Sequence, residues 1–370
     1  MGKEWSLSKL RELVHSILSK STRTTKRIDE LREIIHYQDV LFYTWQMMSK
    51  ILPADKNSDN IYMLNAIELL EITVPPKNEN SDGELMGFNN DKKFVLDKAQ
   101  LGKMMGKVWR ALINRDMTPV IHQKLLLLLL ESYLSKIDKP IFLTDFFMTS
   151  MNVNGIIAVL ALEGVSQLMQ KHNIEYPNIY GKLYSMLEPE VFHKKFKSRL
   201  FYLADIFLSS IYLPESIVAS FAKRSARLSL RCAACDIPML LRFIGNLLIR
   251  HPGLKKMIHH SEDLEVPNDP FIENESDPTK TCASQSSLWE IALLKNHSLP
   301  SISSGAKFID SNLPSVEFDL SEVLGKTYED IFNAERKKKK GEKPSLTFER
   351  PQEIGKLKDD KLYKLWQLTT

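Results

Sequence analysis

The sequence predicts an all-α protein: an α-solenoid of HEAT/armadillo-like antiparallel helix pairs, followed by an extended C-terminal tail. Three observations predict it. Apolar residues recur at helical spacing over most of the chain. Prolines and short polar turns punctuate these runs at close intervals. No sustained two-residue alternation appears, and no Asn-Gly or Asp-Gly pair sits between alternating segments as a hairpin would require. A compact irregular helical domain is the structural alternative.

The elements follow in order. Leu10, Leu13, Val14, Ile17 and Leu18 lie on one helical face, as do Ile28, Leu31, Ile34 and Ile35. Leu41, Phe42, Trp45 and Met48 continue the pattern, and a run from Tyr62 to Ile72 stops before Pro75 and Pro76. Residues 1–75 are thus N-terminal helices. Residues 76–92 are polar and carry Gly83 and Gly87, so they read as a mobile loop.

Residues 93–260 form the expected helical-repeat core. Helices are predicted at 96–114, 119–136, 140–151, 153–172, 176–187, 190–210, 215–231, 237–250 and 252–259. Pro119, Pro140, Pro189, Pro214 and Pro252 sit at or just before helix starts, where the missing N–H costs no hydrogen bond. Asp236 is placed to cap the helix after it. Helix pairs recur at about 35–45 residues, the spacing of HEAT and armadillo units, without strict self-similarity. Residues 261–285 are rich in acids and prolines and read as an acidic linker or surface loop. Ser287 to Glu290 has the form of a capping box. Within 286–370 a helix is expected over Leu320–Arg336, ahead of an extended basic tail.

Composition limits the function classes. The chain has 370 residues and a net charge of +4, too small for a whole-chain argument toward nucleic acid. Three cysteines make no disulfide framework, and the first residues have no uninterrupted apolar stretch, so a reducing compartment is expected. Leu125–Leu130 and Ile156–Leu162 are apolar but fall far short of the roughly 20 residues that span a bilayer.

No residue pattern nominates catalysis. Cys232 and Cys235 have the spacing of half a zinc site, but no second pair exists, and His251, His259 and His260 are irregularly placed. No catalytic, cofactor or metal residue is assigned. Basic residues are more informative. In the predicted helix 190–210, Lys194, Lys195, Lys197 and Arg199 lie off the stripe of Phe192, Phe196, Leu200, Leu203 and Phe207. In the helix after it, Lys223, Arg224, Arg227 and Arg231 share a face. Lys194, Lys197, Arg199, Lys223, Arg224 and Arg227 are therefore the candidate contacts for RNA phosphates or an acidic partner; an ordinary solvated face is the alternative. Lys337, Lys338, Lys339 and Lys340 form a candidate nuclear or nucleolar address.

The strings EYPNIYGKLYSML, FHKKFKSRLFYLADIFLSS, LPESIVASFAKRSARLSL and NLLIRHP, in that order, resemble the CCAAT-binding-factor domain family. PIFLTDFFMTSMNVNGIIAVLALEGVSQLMQKHNIEYP upstream fits the same family, as do DPTKTCASQSSLWEIALLKNH and VEFDLSEVLGKTYEDIFNAERKKKKGEKPSLTFERP downstream. The resemblance implies a non-enzymatic scaffold of the small-subunit processome in the nucleus and nucleolus, without a cofactor. It implies nucleolar protein fourteen as a stable partner, alongside other processome proteins, and a part in pre-rRNA processing. Contact with pre-rRNA itself is direct or through the partner. A membrane-associated helical protein of the nuclear envelope and a helical-repeat transport adaptor are the competing readings.

Overall fold

The structure, a computed structural model, describes residues 6–18, 22–55, 59–75, 85–87, 97–153, 155–172, 176, 178–210, 212–259 and 269–339. It divides into Met1–Leu324 and Gly325–Thr370. Among the described residues there is no strand.

In the first unit the early helices are α1 (Leu7–Ile17), α2 (Thr25–Ile34), α3 (Gln38–Ala54), α4 (Asn60–Ile72) and α5 (Lys98–Ile113). They are followed by α6 (Pro119–Leu128), α7 (Thr144–Met151), α8 (Ile156–His172) and α9 (Ile179–Ser185). Packing skips one helix at a time. α1 lies on α3 and α3 on α5, while α2 lies on α4, α4 on α6 and α6 on α8. Two rows of helices stacked in this way are what antiparallel pairs produce when each pair buries its apolar faces against the next.

The apolar spacing predicts which side goes inward. Leu10, Leu13, Val14 and Ile17 are the buried face of α1, and Leu101, Met105, Val108 and Leu112 that of α5. The two leucine-rich stretches are core: Leu125, Leu126, Leu129 and Leu130 are buried, as is all of Ile157–Leu162. Among the described residues no helix is long and apolar enough to cross a membrane.

One turn departs from the predicted helix over 119–136. Leu129–Tyr133 is π-helical, with the Leu134 N–H donating to the Leu129 carbonyl at 2.8 Å. The wider turn carries Tyr133 inward, between Trp45 and Trp109, with ring centroids 5.7 and 5.3 Å away. Its hydroxyl donates to the Leu70 carbonyl at 2.5 Å, and Trp45 Nε1 donates to the Thr73 carbonyl at 3.0 Å. Burial pushes the Tyr133 hydroxyl far above the usual phenol range. Arg115 closes the open end of α3 by donating to the carbonyls of Leu52 and Asp55 at 2.7 and 2.6 Å.

The second half of this unit is built on α10 (Lys197–Phe207), α11 (Glu215–Ser229) and α12 (Ile237–Arg250). The predicted helix 190–210 is broken. Pro189–His193 is a 3₁₀ turn, and Lys194 leaves it with extended backbone before α10 starts. α10 packs on α8, and α11 on α12. Beyond them lie α13 (Trp289–Leu294), α14 (Pro300–Ala306) and α15 (Ser321–Leu324), which pack back on α11, α12 and, for α15, α10 and α12. The expected helix 320–336 is two: α15, and α16 (Tyr328–Lys339) in the second unit. Of the expected loop 76–92, residues 85–87 are described, and the N–H groups of Met86 and Gly87 donate to the Asp39 carboxylate.

Two glycines permit close approach. Any side chain at Gly164 in α8 would overlap the buried ring of Phe147 in α7. Gly245 in α12 lets the Phe318 ring lie where a Cβ would meet it at 2.7 Å. Beside it, Asn246 exchanges two hydrogen bonds with the Phe318 backbone, 2.9 and 2.7 Å long. Gly164→Ala is expected to destabilise by about 1–3 kcal/mol through overpacking. Gly106→Ala in α5, whose nearest neighbour would be an ordinary 3.9 Å contact, is expected to be neutral or to stabilise by up to ~1 kcal/mol through helix propensity. Urea denaturation compares the two, and equal effects would contradict the close α7–α8 approach.

Candidate functional site

The basic face nominated on α10 and α11 is largely occupied by the chain's own acids. α11 is buried nearly all round, because Ala219, Ser220, Ala222, Ser225, Ala226 and Ser229 let neighbours approach on several sides. Lys223 lies within this packing and is 0% exposed. An ammonium removed from water costs several kcal/mol unless it is paired and hydrogen-bonded. Lys223 Nζ is 2.8 Å from Asp269 Oδ2 and 2.6 Å from Glu290 Oε1, and it donates to the Ser287 carbonyl at 2.7 Å.

Arg227, one turn on, binds the same two acids, 2.7 Å from Asp269 Oδ2 and 2.9 Å from Glu290 Oε1. Two cations thus face two carboxylates, with Trp289 closing the group: its ring is 5.4 Å from Lys223 Nζ and 4.7 Å from the Arg227 guanidinium. Asp269 also accepts from Ser286, Trp289 Nε1 and the Phe271 N–H. Burial alone would raise its carboxyl, but the bonds from Lys223, Ser286, Trp289 and Phe271 outweigh that and hold it well below the usual range. For Glu290 burial wins over Lys223 and Arg227, and its carboxyl is pushed up.

This cluster and a neighbouring ion pair correct three expectations. The acidic stretch 261–285 is no spacer from Asp269 onward: it folds against α11, with Ser220 accepting and donating bonds near Pro278 and Thr281. Residues 261–268 lie outside the described residues. Glu290 does not complete a capping box, because its carboxylate is drawn to Lys223 and Arg227, and α13 starts without a side-chain cap. Asp236 likewise makes no cap: it pairs with Lys197 at 2.7 Å.

The six nominated cations divide accordingly. Lys223 cannot reach an outside phosphate in this packing. Arg227 is engaged as above. Arg224 donates to the Leu187 carbonyl at 2.8 Å and lies 4.4 Å from the Tyr184 ring. Arg199 pairs with Glu163 at 2.5 Å, and Lys197 with Asp236. Lys194, with its neighbour Lys195, is exposed. Lys194 also lines a cleft of about 250 Å³ shared with Gly155, Lys182, Glu188, Glu190 and Phe196. Of the nominated address, Lys337 is exposed on α16, Lys338 and Lys339 lie in its last turn, and Lys340 falls outside the described residues.

Sequence reasoning missed Asp269 and Glu290. The available signal was charge matching, since three cations on α11 and Arg231 just after it precede an acidic segment by some forty residues. Cys232 is half-buried, and desolvation, with Asp236 nearby, pushes its thiol up to about 12. Cys235 is buried and is pushed up for the same reasons, while Cys282 is exposed on a separate turn. Among the described residues no three His, Cys, Asp or Glu side chains converge as a metal would need.

A second set of ion pairs fastens the chain beyond α14. Arg250 reaches Asp205 at 2.8 Å and Glu317 at 2.6 Å, and Arg242 reaches Glu322 at 2.8 Å. These pairs and the Asn246–Phe318 exchange hold residues 317–322 along α12.

Residues 158–306, which run from within α8 to the end of α14 and include the ion cluster, match the CBF/Mak21 family. The chain is 33% identical to nucleolar complex protein 4 homolog A of Xenopus laevis over 359 residues, 95% of this chain and 68% of that protein. It is 33% identical to the nucleolar complex protein 4 homolog of Mus musculus, over 91% of this chain and 67% of that protein. Nucleolar complex protein 4 of Saccharomyces cerevisiae is 30% identical over 85% of this chain and 61% of its own length. The chain spans about two thirds of the length of these relatives. The family expected from the sequence strings is the one found.

Breaking the buried cluster by one member leaves an unpaired charge. Glu290→Ala is expected to destabilise by about 3–5 kcal/mol. The pair Lys223→Met with Glu290→Met is expected to restore much of that loss, since no unpaired ion remains. Urea denaturation and hydrogen exchange in α13 read the two variants; strict additivity of the separate substitutions would show that Lys223 and Glu290 do not act on each other.

Proposed function

The chain belongs to the nucleolar complex protein 4 group of the CBF/Mak21 family, and on that footing we propose that it is a non-catalytic assembly scaffold of the nucleolus, acting in ribosome biogenesis. The observation that carries this reading is similarity extending over 95% of the chain, through both rows of helices and the ion cluster, to a relative named as a nucleolar complex protein. The finer role is in the small-subunit processome, in pre-rRNA processing, with nucleolar protein fourteen as the principal partner.

The way the molecule spends its charge supports protein docking as the main activity. Five of the six nominated cations bind the chain's own acids, carbonyls or rings. The face they form is therefore close to neutral, and phosphate neutralisation there is weak. Stacked helices leave broad flanks on which a partner chain can be buried. Contact with pre-rRNA falls to Lys194 and Lys195 at the exposed turn before α10, and it positions the particle without reading sequence. The Lys337–Lys340 run serves nuclear entry.

Tagged purification from nuclear extract tests the assignment. Nucleolar protein fourteen, other small-subunit precursor proteins and pre-rRNA are expected to co-purify, and a preparation free of them would overturn the reading. In the same experiment Lys194→Glu with Lys195→Glu is expected to lower ultraviolet cross-linking to pre-rRNA several-fold while protein recovery is unchanged. Unaltered cross-linking would remove those lysines from the RNA contact.

A further inference from the structure

Helix α16 is amphipathic, yet none of its described side chains is buried. Tyr328 is 59% exposed and Phe332 65%. With the half-exposed Ile331 and Glu335 they fall at i, i+3, i+4 and i+7, one continuous stripe. Its start is locally fixed. The Asp330 carboxylate accepts from the Thr327 N–H at 2.9 Å and from its hydroxyl at 2.8 Å, while the Thr327 hydroxyl faces the Asp330 N–H at 3.3 Å. This reciprocal arrangement is a capping box with aspartate in the role of glutamate. Glu329 and Asp330 in the first turn, and Arg336 to Lys339 in the last, both favour the helix dipole.

A twelve-residue helix is marginal in water without burial of its apolar face. The capping box and the charge order make this one ready to form, and the stripe needs a cover. We propose that α16 is a docking helix whose occupant is a protein groove with an apolar floor and an acidic rim. The stripe of Tyr328, Ile331 and Phe332 enters the floor, and Arg336, Lys337 and the lysines after them meet the rim, a helix-in-groove mode. RNA fits less well. The apolar stripe of Tyr328, Ile331 and Phe332 would remain wet against its phosphates.

The test uses the full chain with a benzophenone amino acid in place of Tyr328, irradiated in nuclear extract, with the cross-linked segment identified by mass spectrometry. The expected product is a protein segment in which apolar residues are flanked by clustered Asp and Glu. Ile331→Ala with Phe332→Ala in the same chain is expected to lower that product by about tenfold, since it removes anchoring side chains of the contact. Arg336→Glu with Lys337→Glu is expected to lower it as well and to weaken its dependence on salt. Circular dichroism before irradiation is expected to be unchanged, because these side chains are not buried. Cross-linking to RNA, to another copy of the chain, to a segment without clustered acids, or to nothing would overturn the proposal.

Discussion

A lysine ammonium shut off from water constrains the C-terminal half of this protein. Lys223 is fully enclosed in α11 and meets three partners there, Asp269, Glu290 and Ser287. Those partners are 46 to 67 residues further on, so the chain must return across α11 to supply them. Its return brings Phe271, Trp289 and the start of α13 with it. Arg227 then shares the same carboxylates, which makes the group neutral, two charges against two. An apolar substitute could fill this space with comparable stability, but it would not specify which later segment comes back, nor in which register.

The helices were legible because their cause is local. Apolar spacing gave the buried faces of α1, α2 and α3, and the prolines at 119 and 252 stand where the structure begins new helical turns. What failed was the use of local rules for side chains with distant partners. Asp236 and Glu290 have the residue types and spacing of caps, yet a buried or half-buried cation outbids a backbone N–H for a carboxylate. The acidic stretch from Asp269 to Asp277 was read as solvated on composition alone. Composition carries no information about what an acid faces, and here much of what it faces is α11. The π turn at Leu129–Tyr133 was hidden for a different reason: an added residue in a run of leucines leaves hydrophobicity unchanged while rotating Tyr133 toward Trp45 and Trp109.

The same pairing explains why a basic sequence pattern need not make a basic surface. α10, α11 and the turn after α11 carry Lys197, Arg199, Lys223, Arg224, Arg227 and Arg231, and every one of them meets an acid, a carbonyl or a ring within the chain. Arginine is the commoner residue in these roles because its fork can satisfy two acceptors at once, as Arg250 does with Asp205 and Glu317. A surface treated this way favours partners recognised by shape and apolar contact.

The distance along the chain between Lys223 and its partners also sets an order for synthesis. The early helices wait for later ones too: Trp45 of α3 and Leu70 of α4 meet Tyr133 only when it has emerged, 63 residues after Leu70. α11 waits in the same way, but what it leaves uncovered is an amine and not an apolar ring: Lys223 donates to a carbonyl 64 residues downstream. A nascent chain stalled or cut anywhere in that interval would carry a bare charge in an apolar bed, a ready mark for chaperones or proteolysis. A copy of the chain shortened before Glu290 would therefore leave open to water what the finished one encloses.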